Sequence, residues 1–368
     1  MRMKVYKMEN DSLYEIEKEV TVRIIQEDME SIYSLMLTEK DPIFSMASIP
    51  YYALFVQACQ EYMEIVYLPE MEAKRVKDIR NYIKSYGKKF GKTKRKIQDI
   101  DDSQDRQFRD MLKFDFMKQM NKHLNLGTYW IDEKHIVGST QMYADFLEIE
   151  NLLDPQSTEL QLELSYQIGS FVSEVKKGFR NCIYQPVVER KEQSIKIGYY
   201  ADLNTNVGNQ FFLENSSKEL NLFFLHLLCN MNFVKYILRK LFVDDNKWVF
   251  RVEYIVTYYT YRALQRLKNY CENNGDIKFD FETASDIFIK GEILFQSNLR
   301  NCMMHYGLEN RNVLSYKYIQ KDFFGIIETC FAGVDYQTYI NNLRELSDMI
   351  ILFLEGRFDM TKIKIYPM

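Results

Sequence analysis

The chain has 368 residues, of which 46% are hydrophobic, 15% aromatic and 27% charged, and its formal net charge at pH 7 is −4. Glycine (14 residues) and proline (6 residues) are both scarce. This composition excludes a collagen, a disordered tail protein and a turn-rich β-sandwich, and it indicates a helix-rich globular protein of two domains or one large one. Because there is no overall basic excess, any nucleic-acid-binding site has to be a local patch of cations.

The first sixty residues predict helices and no targeting segment. Residues 11–40 mix charged and apolar positions at helical spacing, and Pro50 is predicted to begin a second helix. The N-terminal segment MRMKVYKMENDS has no apolar core, so we expect no signal peptide. Six scattered cysteines are most simply explained as reduced thiols, and together these features predict a cytoplasmic protein without a membrane partner.

Residues 74–96 form a basic segment that contains eleven lysine and arginine residues and a single acid, Asp78. Tyr82, Tyr86 and Phe90 recur in it every four residues, which on a helix places them on one stripe with cations on the other faces. Two interpretations stay open: a solvated helix that its aromatics hold on the core, and a helix that contacts RNA. The candidate RNA-binding cations of this segment are Lys88, Lys89, Lys92 and Lys94.

The middle of the chain predicts a domain boundary. Residues 127–138 have the pattern of a short β-hairpin, and a helix is predicted from Thr158 to about Cys182. Residues 190–213 are rich in Asn, Gly and β-forming residues, which indicates an irregular connector with a strand pair in it. The predicted parts are a helical N-terminal region with the basic segment, a connector and a helical bundle, at residues 1–190, 191–216 and 217–368.

The C-terminal part predicts long helices joined by short turns, which is the pattern of a helical bundle. The predicted helices are 217–242, 248–272, 283–305, 319–330 and 336–354. The apolar stretch 220–243 contains asparagines, lysines and an arginine, so we expect a core helix there and not a membrane span. The last residues, KIKIYPM, alternate as in a strand, with MRMKVYKM at the N-terminus as the candidate partner. The predicted fold class is therefore mainly α with minor β elements.

Most motifs that carry chemistry are absent from the sequence. There is no GxxxxGK[ST], GxGxxG, HExxH or GxSxG motif and no CxxC pair, which argues against nucleotide-hydrolysing, dinucleotide-binding, zinc-protease and hydrolase-triad functions. With only four histidines, a His-rich metal centre is hard to build. We predict no metal site and no cofactor.

One constellation can carry chemistry, and it lies in residues 297–306, SNLRNCMMHY. On a helix, Ser297, Asn301 and His305 share a stripe, and the guanidinium of Arg300 can swing towards it. Arginine binds a phosphate with its planar fork, histidine moves a proton near neutral pH, and asparagine can orient either group. The candidate catalytic residues are therefore Arg300, Asn301 and His305.

This motif resembles that of the HEPN superfamily (higher eukaryotes and prokaryotes nucleotide-binding), whose ribonucleases carry Arg, four to six residues and then His in an all-α bundle. Here Arg300 and His305 enclose four residues, Asn301 follows the Arg as in many members, and the resemblance covers about residues 217–365. It implies a metal-independent endoribonuclease in which a ribose 2′-OH attacks the next phosphate and leaves 2′,3′-cyclic phosphate ends. It also implies a homodimer in which Arg300 and His305 of two protomers meet at a two-fold axis.

Two hypotheses for the function follow. The first is a HEPN-type endoribonuclease, which implies a role as a toxin or in anti-phage defence and a protein antitoxin or regulator as a further partner. In it, Arg262 and Arg266 on the second bundle helix are additional candidates for RNA contact. The second is a non-catalytic helical scaffold that binds RNA or protein in a defence or regulatory complex. The two hypotheses differ in one structural feature. Arg300 and His305 either lie exposed in a shared cleft or are each paired with a different neighbouring side chain.

Overall fold

The structure, a computed structural model, describes residues 13–63, 68–115, 118, 123–149, 155–192, 194–206, 211–213, 217–274, 277, 279–309 and 311–368. These residues form a mainly helical protein with one small antiparallel sheet, which confirms the predicted fold class. In the N-terminal region the structure describes the helices α1 (Leu13–Thr38), α2 (Pro42–Met63), α3 (Glu70–Ser85), α4 (Phe90–Asp110), α5 (Thr140–Leu147) and α6 (Pro155–Phe179).

α2 begins eight residues earlier than the sequence predicted. Its first residue is Pro42, and Pro50 lies inside the helix. Asp41 caps the helix, because its Oδ1 accepts hydrogen bonds from the N–H groups of Ile43 (2.9 Å) and Phe44 (3.0 Å). Proline has no N–H group, and the N–H groups of the first helical turn have no partner within the helix. Pro42 is therefore a better first residue for α2 than Pro50.

The basic segment is divided between two helices: α3 ends at Ser85 and α4 begins at Phe90. Its aromatic side chains face the core as predicted, since Tyr82, Tyr86 and Phe90 are 3%, 3% and 2% exposed. Gly87 lies in the turn between the helices, and a Cβ there would lie 3.0 Å from Cδ1 of Tyr259. The turn therefore packs directly on the second helix of the C-terminal bundle.

The sheet joins the middle of the chain to its C-terminal end. Its strands are β1 (Leu126–Ile131), β2 (His135–Ser139), β3 (Tyr199–Leu203) and β4 (Tyr366–Pro367). They pair antiparallel in the order β2-β1-β3-β4, and the β1–β2 pair confirms the predicted hairpin. β4 pairs with β3 of the predicted connector. Its predicted partner, MRMKVYKM at the N-terminus, lies outside the described residues.

In the C-terminal part the structure describes α7 (Lys218–Phe233), which continues through a π-helical turn (Val234–Leu238) into Arg239–Leu241, and then α8 (Lys247–Asn274), α9 (Ser285–Leu294), α10 (Ser297–Met304), α11 (Ile326–Cys330) and α12 (Tyr336–Glu355). Side-chain caps fix two of the starts that the sequence predicted. At the start of α7 the side chain of Ser217 accepts a hydrogen bond from the N–H of Leu220. At the start of α12 the side chain of Asp335 accepts one from the N–H of Thr338.

The predicted helix 283–305 is two helices in the structure. α9 ends at Leu294, and Phe295 is extended, with φ −105° and ψ 101°. The ring of Phe295 packs in the aromatic cluster of α8, at 5.4 Å from the ring of Tyr254 and 5.2 Å from that of Tyr258. The extended backbone at Phe295 therefore separates the two helices, and α10 begins at Ser297.

Among the described residues, Lys218–Leu241 is the one helical stretch that is long and apolar enough to cross a membrane, and 83% of its most apolar window is buried inside the protein. It packs against β2, α4, α8 and α12. The buried apolar side chains of the N-terminal region and of the C-terminal bundle form one cluster, with α7 near its middle. This stretch is therefore a core helix, as predicted.

Candidate functional site

The chain leaves the helix at the histidine of the predicted motif. Arg300 and Asn301 lie within α10, whereas His305 is extended, with φ −139° and ψ 143°. The predicted helical stripe therefore does not reach His305. Its N–H still donates to the carbonyl oxygen of Asn301 (3.0 Å), but the direction of its side chain is set by the residues that follow.

Tyr306 fixes that direction by inserting into the N-terminal region. Its side chain is 1% exposed, and its hydroxyl donates to Oδ2 of Asp28 on α1 (2.6 Å). The guanidinium of Arg251 lies 3.1 Å from the same oxygen and 4.2 Å from the centre of the Tyr306 ring. A buried carboxylate needs such partners, and together they hold the backbone beside His305 in one place.

Two side chains of the N-terminal region contact the imidazole of His305. Nδ1 lies 3.0 Å from Oε2 of Glu61 on α2 and 3.2 Å from Nη2 of Arg80 on α3. Arg80 is only 4% exposed, and it also donates to Oε1 of Glu61 (3.1 Å) and to the carbonyl oxygen of Met304 (3.2 Å). Gln57 donates to the same Oε1 (3.0 Å). Glu61 and Arg80 are thus held in place at the end of α10.

The carboxylate determines which nitrogen of His305 is reactive. Since Glu61 is a pure acceptor when ionised, its contact favours the tautomer with the proton on Nδ1 and the lone pair on Nε2, which Nη2 of Arg80 approaches to 3.4 Å. Burial lowers the pKa of His305 below its usual value and the charge of Arg80 lowers it further, while the hydrogen bond to Glu61 raises it in part. The side chain is 34% exposed. His305 is therefore a neutral, accessible base at pH 7.

Arg300 completes the site from α10 without a carboxylate partner. Its Nη1 donates to Oδ1 of Asn301 (2.7 Å), and its Nη2 donates to the hydroxyl of Tyr259 on α8 (3.1 Å). Neither Glu292 nor Glu309 pairs with it, and Glu309 accepts instead from the hydroxyl of a tyrosine on α2. Within the described part of the chain its positive charge is therefore not neutralised and remains available to an anion.

Lys84 adds a third cation beside Arg80 and Arg300. It lies one turn after Arg80 on α3, and its side chain is half-buried. Burial lowers the pKa of Lys84 to about 8, and the charges of Arg80 and Arg300 contribute to the lowering. The charge of Lys84, like that of Arg80, in turn lowers the pKa of His305.

The turn between α3 and α4 brings part of the predicted RNA-binding set next to α8. Gly87 packs against Tyr259 and Arg262, so the turn that carries Lys88 and Lys89 meets α8 beside the site. Exposure differs among the predicted cations: Lys88, Lys89, Lys92 and Arg266 are exposed, and Lys94 and Arg262 are half-buried. The nearest of these cations, at the α3–α4 turn and Arg262, thus continue the positive charge of the site.

Sequence reasoning singled out Arg300, Asn301 and His305 and did not include the contacts that the N-terminal region makes with His305. Arg80 had a signal, since it lies in the basic segment, although it was not singled out there. Glu61 had none, because one acid on an apolar helix is unremarkable until the fold brings it to a histidine 244 positions later. The structure therefore builds one site from α2, α3, α8 and α10.

Known proteins and metal chemistry add no assignment. Comparison with protein-family models, with curated proteins and with solved structures finds no match to this chain. In the part of the chain that the structure describes, no three or more His, Cys, Asp or Glu side chains group as a metal site would require. The chemistry of the site is therefore inferred from its own residues: an imidazole, a carboxylate and three cations.

Proposed function

We propose that this protein is a metal-independent endoribonuclease of HEPN type, with its active site at His305 and Arg300. The observation that carries the proposal is the contact of His305 with Glu61 and Arg80 at the end of the helix that carries Arg300. Arginines beside a neutral imidazole suit a phosphodiester, because the substrate is anionic and its cleavage requires proton transfer. The Arg-x4-His motif alone supplies only two of these groups.

The geometry gives each group a role. His305 Nε2 takes the proton of the ribose 2′-OH, which then attacks the adjacent phosphorus. Arg300 binds the non-bridging oxygens, and the charge of Arg80 helps to stabilise the charge that develops on them. Arg80 Nη2 lies 3.4 Å from His305 Nε2, so this buried charge is next to the base. Glu61 keeps the imidazole in the required tautomer, and the products have 2′,3′-cyclic phosphate and 5′-OH ends.

The wider setting of the proposal comes from the resemblance. It includes a homodimer through the C-terminal bundle, a cytoplasmic location that suits six free cysteines, and a role as a toxin or in anti-phage defence under a protein antitoxin or regulator. Since Glu61, Arg80 and His305 belong to one chain, each protomer carries its own acid–base pair. Light scattering of the purified protein tests the dimer, which a monomer at micromolar concentration contradicts.

A second candidate function is a non-catalytic helical scaffold that binds RNA. It is favoured by one observation. The imidazole of His305 is held by two side chains of its own chain, Glu61 and Arg80. In that case the cations bind RNA and no bond is broken. The two functions differ in whether RNA is cleaved, so one assay separates them.

The test is cleavage of a fluorescent single-stranded RNA by wild type, His305→Ala and His135→Ala in the presence of EDTA. We expect wild type and His135→Ala to cleave, with 2′,3′-cyclic phosphate ends, and His305→Ala to lose about 10²- to 10⁴-fold in rate because its base is gone. His135 is a matched control on the hairpin. A nuclease activity that EDTA abolishes and Mg²⁺ restores contradicts the proposal.

A further inference from the structure

Cleavage by a ribose 2′-OH needs two proton transfers, and the groups assigned so far provide for one. His305 accepts the proton of the nucleophile, but the departing 5′-oxygen must also gain a proton, since an alkoxide is a poor leaving group. Arg300 and Arg80 cannot supply it, because a guanidinium does not deprotonate in proteins. The site therefore requires a second titratable donor on the same face.

Lys84 lies between the two groups of contacts that define the site. Arg80, one turn before it on α3, contacts His305, and Gly87, three residues after it, packs on Tyr259, whose hydroxyl holds Arg300. The side chain of Lys84 is half-buried and makes no hydrogen bond or ion pair with any residue that the structure describes. Residues four apart on a helix share a face, so Lys84 lies on the same side of α3 as Arg80, whose guanidinium contacts His305.

We propose that Lys84 is the general acid of the reaction, giving a proton from its ammonium group to the departing 5′-oxygen. The inference rests on the ribonuclease activity proposed above. In the step, the bond from the 2′-oxygen to phosphorus forms and the bond from phosphorus to the 5′-oxygen breaks. One proton moves from the 2′-OH to His305 Nε2 and one leaves Lys84, and exchange with water restores both groups.

The surroundings of Lys84 suit it to this role. Burial, followed by the charges of Arg80 and Arg300, lowers its pKa from 10.5 to about 8, so it is mostly protonated at pH 7 and a far stronger acid than an exposed lysine. Glu61 opposes the lowering only in part. The titratable and charged groups around it, on α2, α3, α8, α10 and the turn after α3, are Glu61, Arg80, Tyr259, Arg300, His305 and Lys88.

The test compares wild type with Lys84→Arg on two RNA substrates, one natural and one with sulfur in place of the bridging 5′-oxygen. Arginine keeps the positive charge but cannot donate a proton. On natural RNA we expect kcat to fall about 10²- to 10⁴-fold with little change in KM, and the loss of activity above pH 8 to disappear from the profile. A thiolate leaves without protonation, so on the sulfur substrate Lys84→Arg should approach the wild-type rate.

The outcomes separate this inference from the proposed function. If Lys84→Arg cleaves natural RNA at the wild-type rate, or is equally slow on both substrates, then Lys84 is not the general acid. The proposed ribonuclease activity is unaffected by either result. Wild type that cleaves neither substrate overturns both. Lys134→Arg, in the turn between β1 and β2, is the matched control and should behave as wild type, and circular dichroism of Lys84→Arg should match that of wild type.

Discussion

At the scale of single residues, His305 lies where side chains of three helices meet. Glu61 of α2 orients its ring, Nη2 of Arg80 on α3 lies 3.2 Å from its Nδ1, and Arg300 lies on α10, the helix that His305 follows. The next residue, Tyr306, is held against Asp28, so the backbone at His305 cannot move away without disrupting a buried ion pair. His305 is therefore preorganised, which is what proton transfer to a bound substrate requires.

Glu61→Gln tests this preorganisation through the pH dependence of cleavage. The charge of Glu61 raises the pKa of His305, so its removal should lower that pKa further and move the acid limb of kcat/KM to lower pH. The base must be neutral to act, and a lower pKa keeps it neutral at lower pH. We also expect kcat to fall at least about tenfold, because an amide no longer fixes the tautomer. An acid limb that moves to higher pH contradicts this assignment.

At the scale of elements, the break between α9 and α10 sets the direction in which the motif enters the site. Phe295 packs in the aromatic cluster of α8, and Gly291 allows α9 to lie directly against the ring of Tyr261. A Cβ at Gly291 would overlap several carbons of that ring, which is itself 3% exposed. The close approach of α9 to α8 therefore depends on the missing side chain.

Gly291→Ala should lower the free energy of unfolding by about 1–3 kcal/mol, because overpacking against a buried ring outweighs the gain in helix propensity. Gly169→Ala is the matched control, since it lies inside α6 and a Cβ there meets nothing within 4 Å. It should raise the free energy of unfolding by roughly 0.5–1 kcal/mol. Urea denaturation of both variants measures the contrast, and equal effects in the two contradict it.

At the scale of the whole molecule, the distribution of charge matters more than its sum. The net charge is −4, yet the basic segment and the site form one positive region from the end of α10 across the α3–α4 turn to Arg262 of α8. Such a local field attracts a polyanion that the rest of the surface repels. If the proposed function is right, RNA binding and cleavage use the same face of the protein.

We expect weaker RNA binding when four lysines of the basic segment are replaced by Gln: Lys88, Lys89, Lys92 and Lys94. The slope of log affinity against log salt concentration should also become less steep, by up to about 0.7 for each lost phosphate contact on single strands. Filter binding to His305→Ala protein, which cannot cleave, measures it. Changing Lys134, Lys191, Lys240 and Lys362 to Gln gives the same change in net charge and should leave the slope nearly unaltered. If the salt dependence of RNA binding has the same slope in both variants, the basic segment is a solvated helix that does not contact RNA.

The sequence by itself determined the features that depend on neighbours along the chain. Helical periodicity predicted the bundle helices and the buried stripe of Tyr82, Tyr86 and Phe90, and the spacing of Arg300 and His305 was visible as a motif. The tertiary structure alone decided that Glu61 and Arg80 meet His305, and that a helix break redirects α10. Contacts between distant residues depend on how whole faces pack, as the buried Tyr306 shows, and no short window of sequence contains that information.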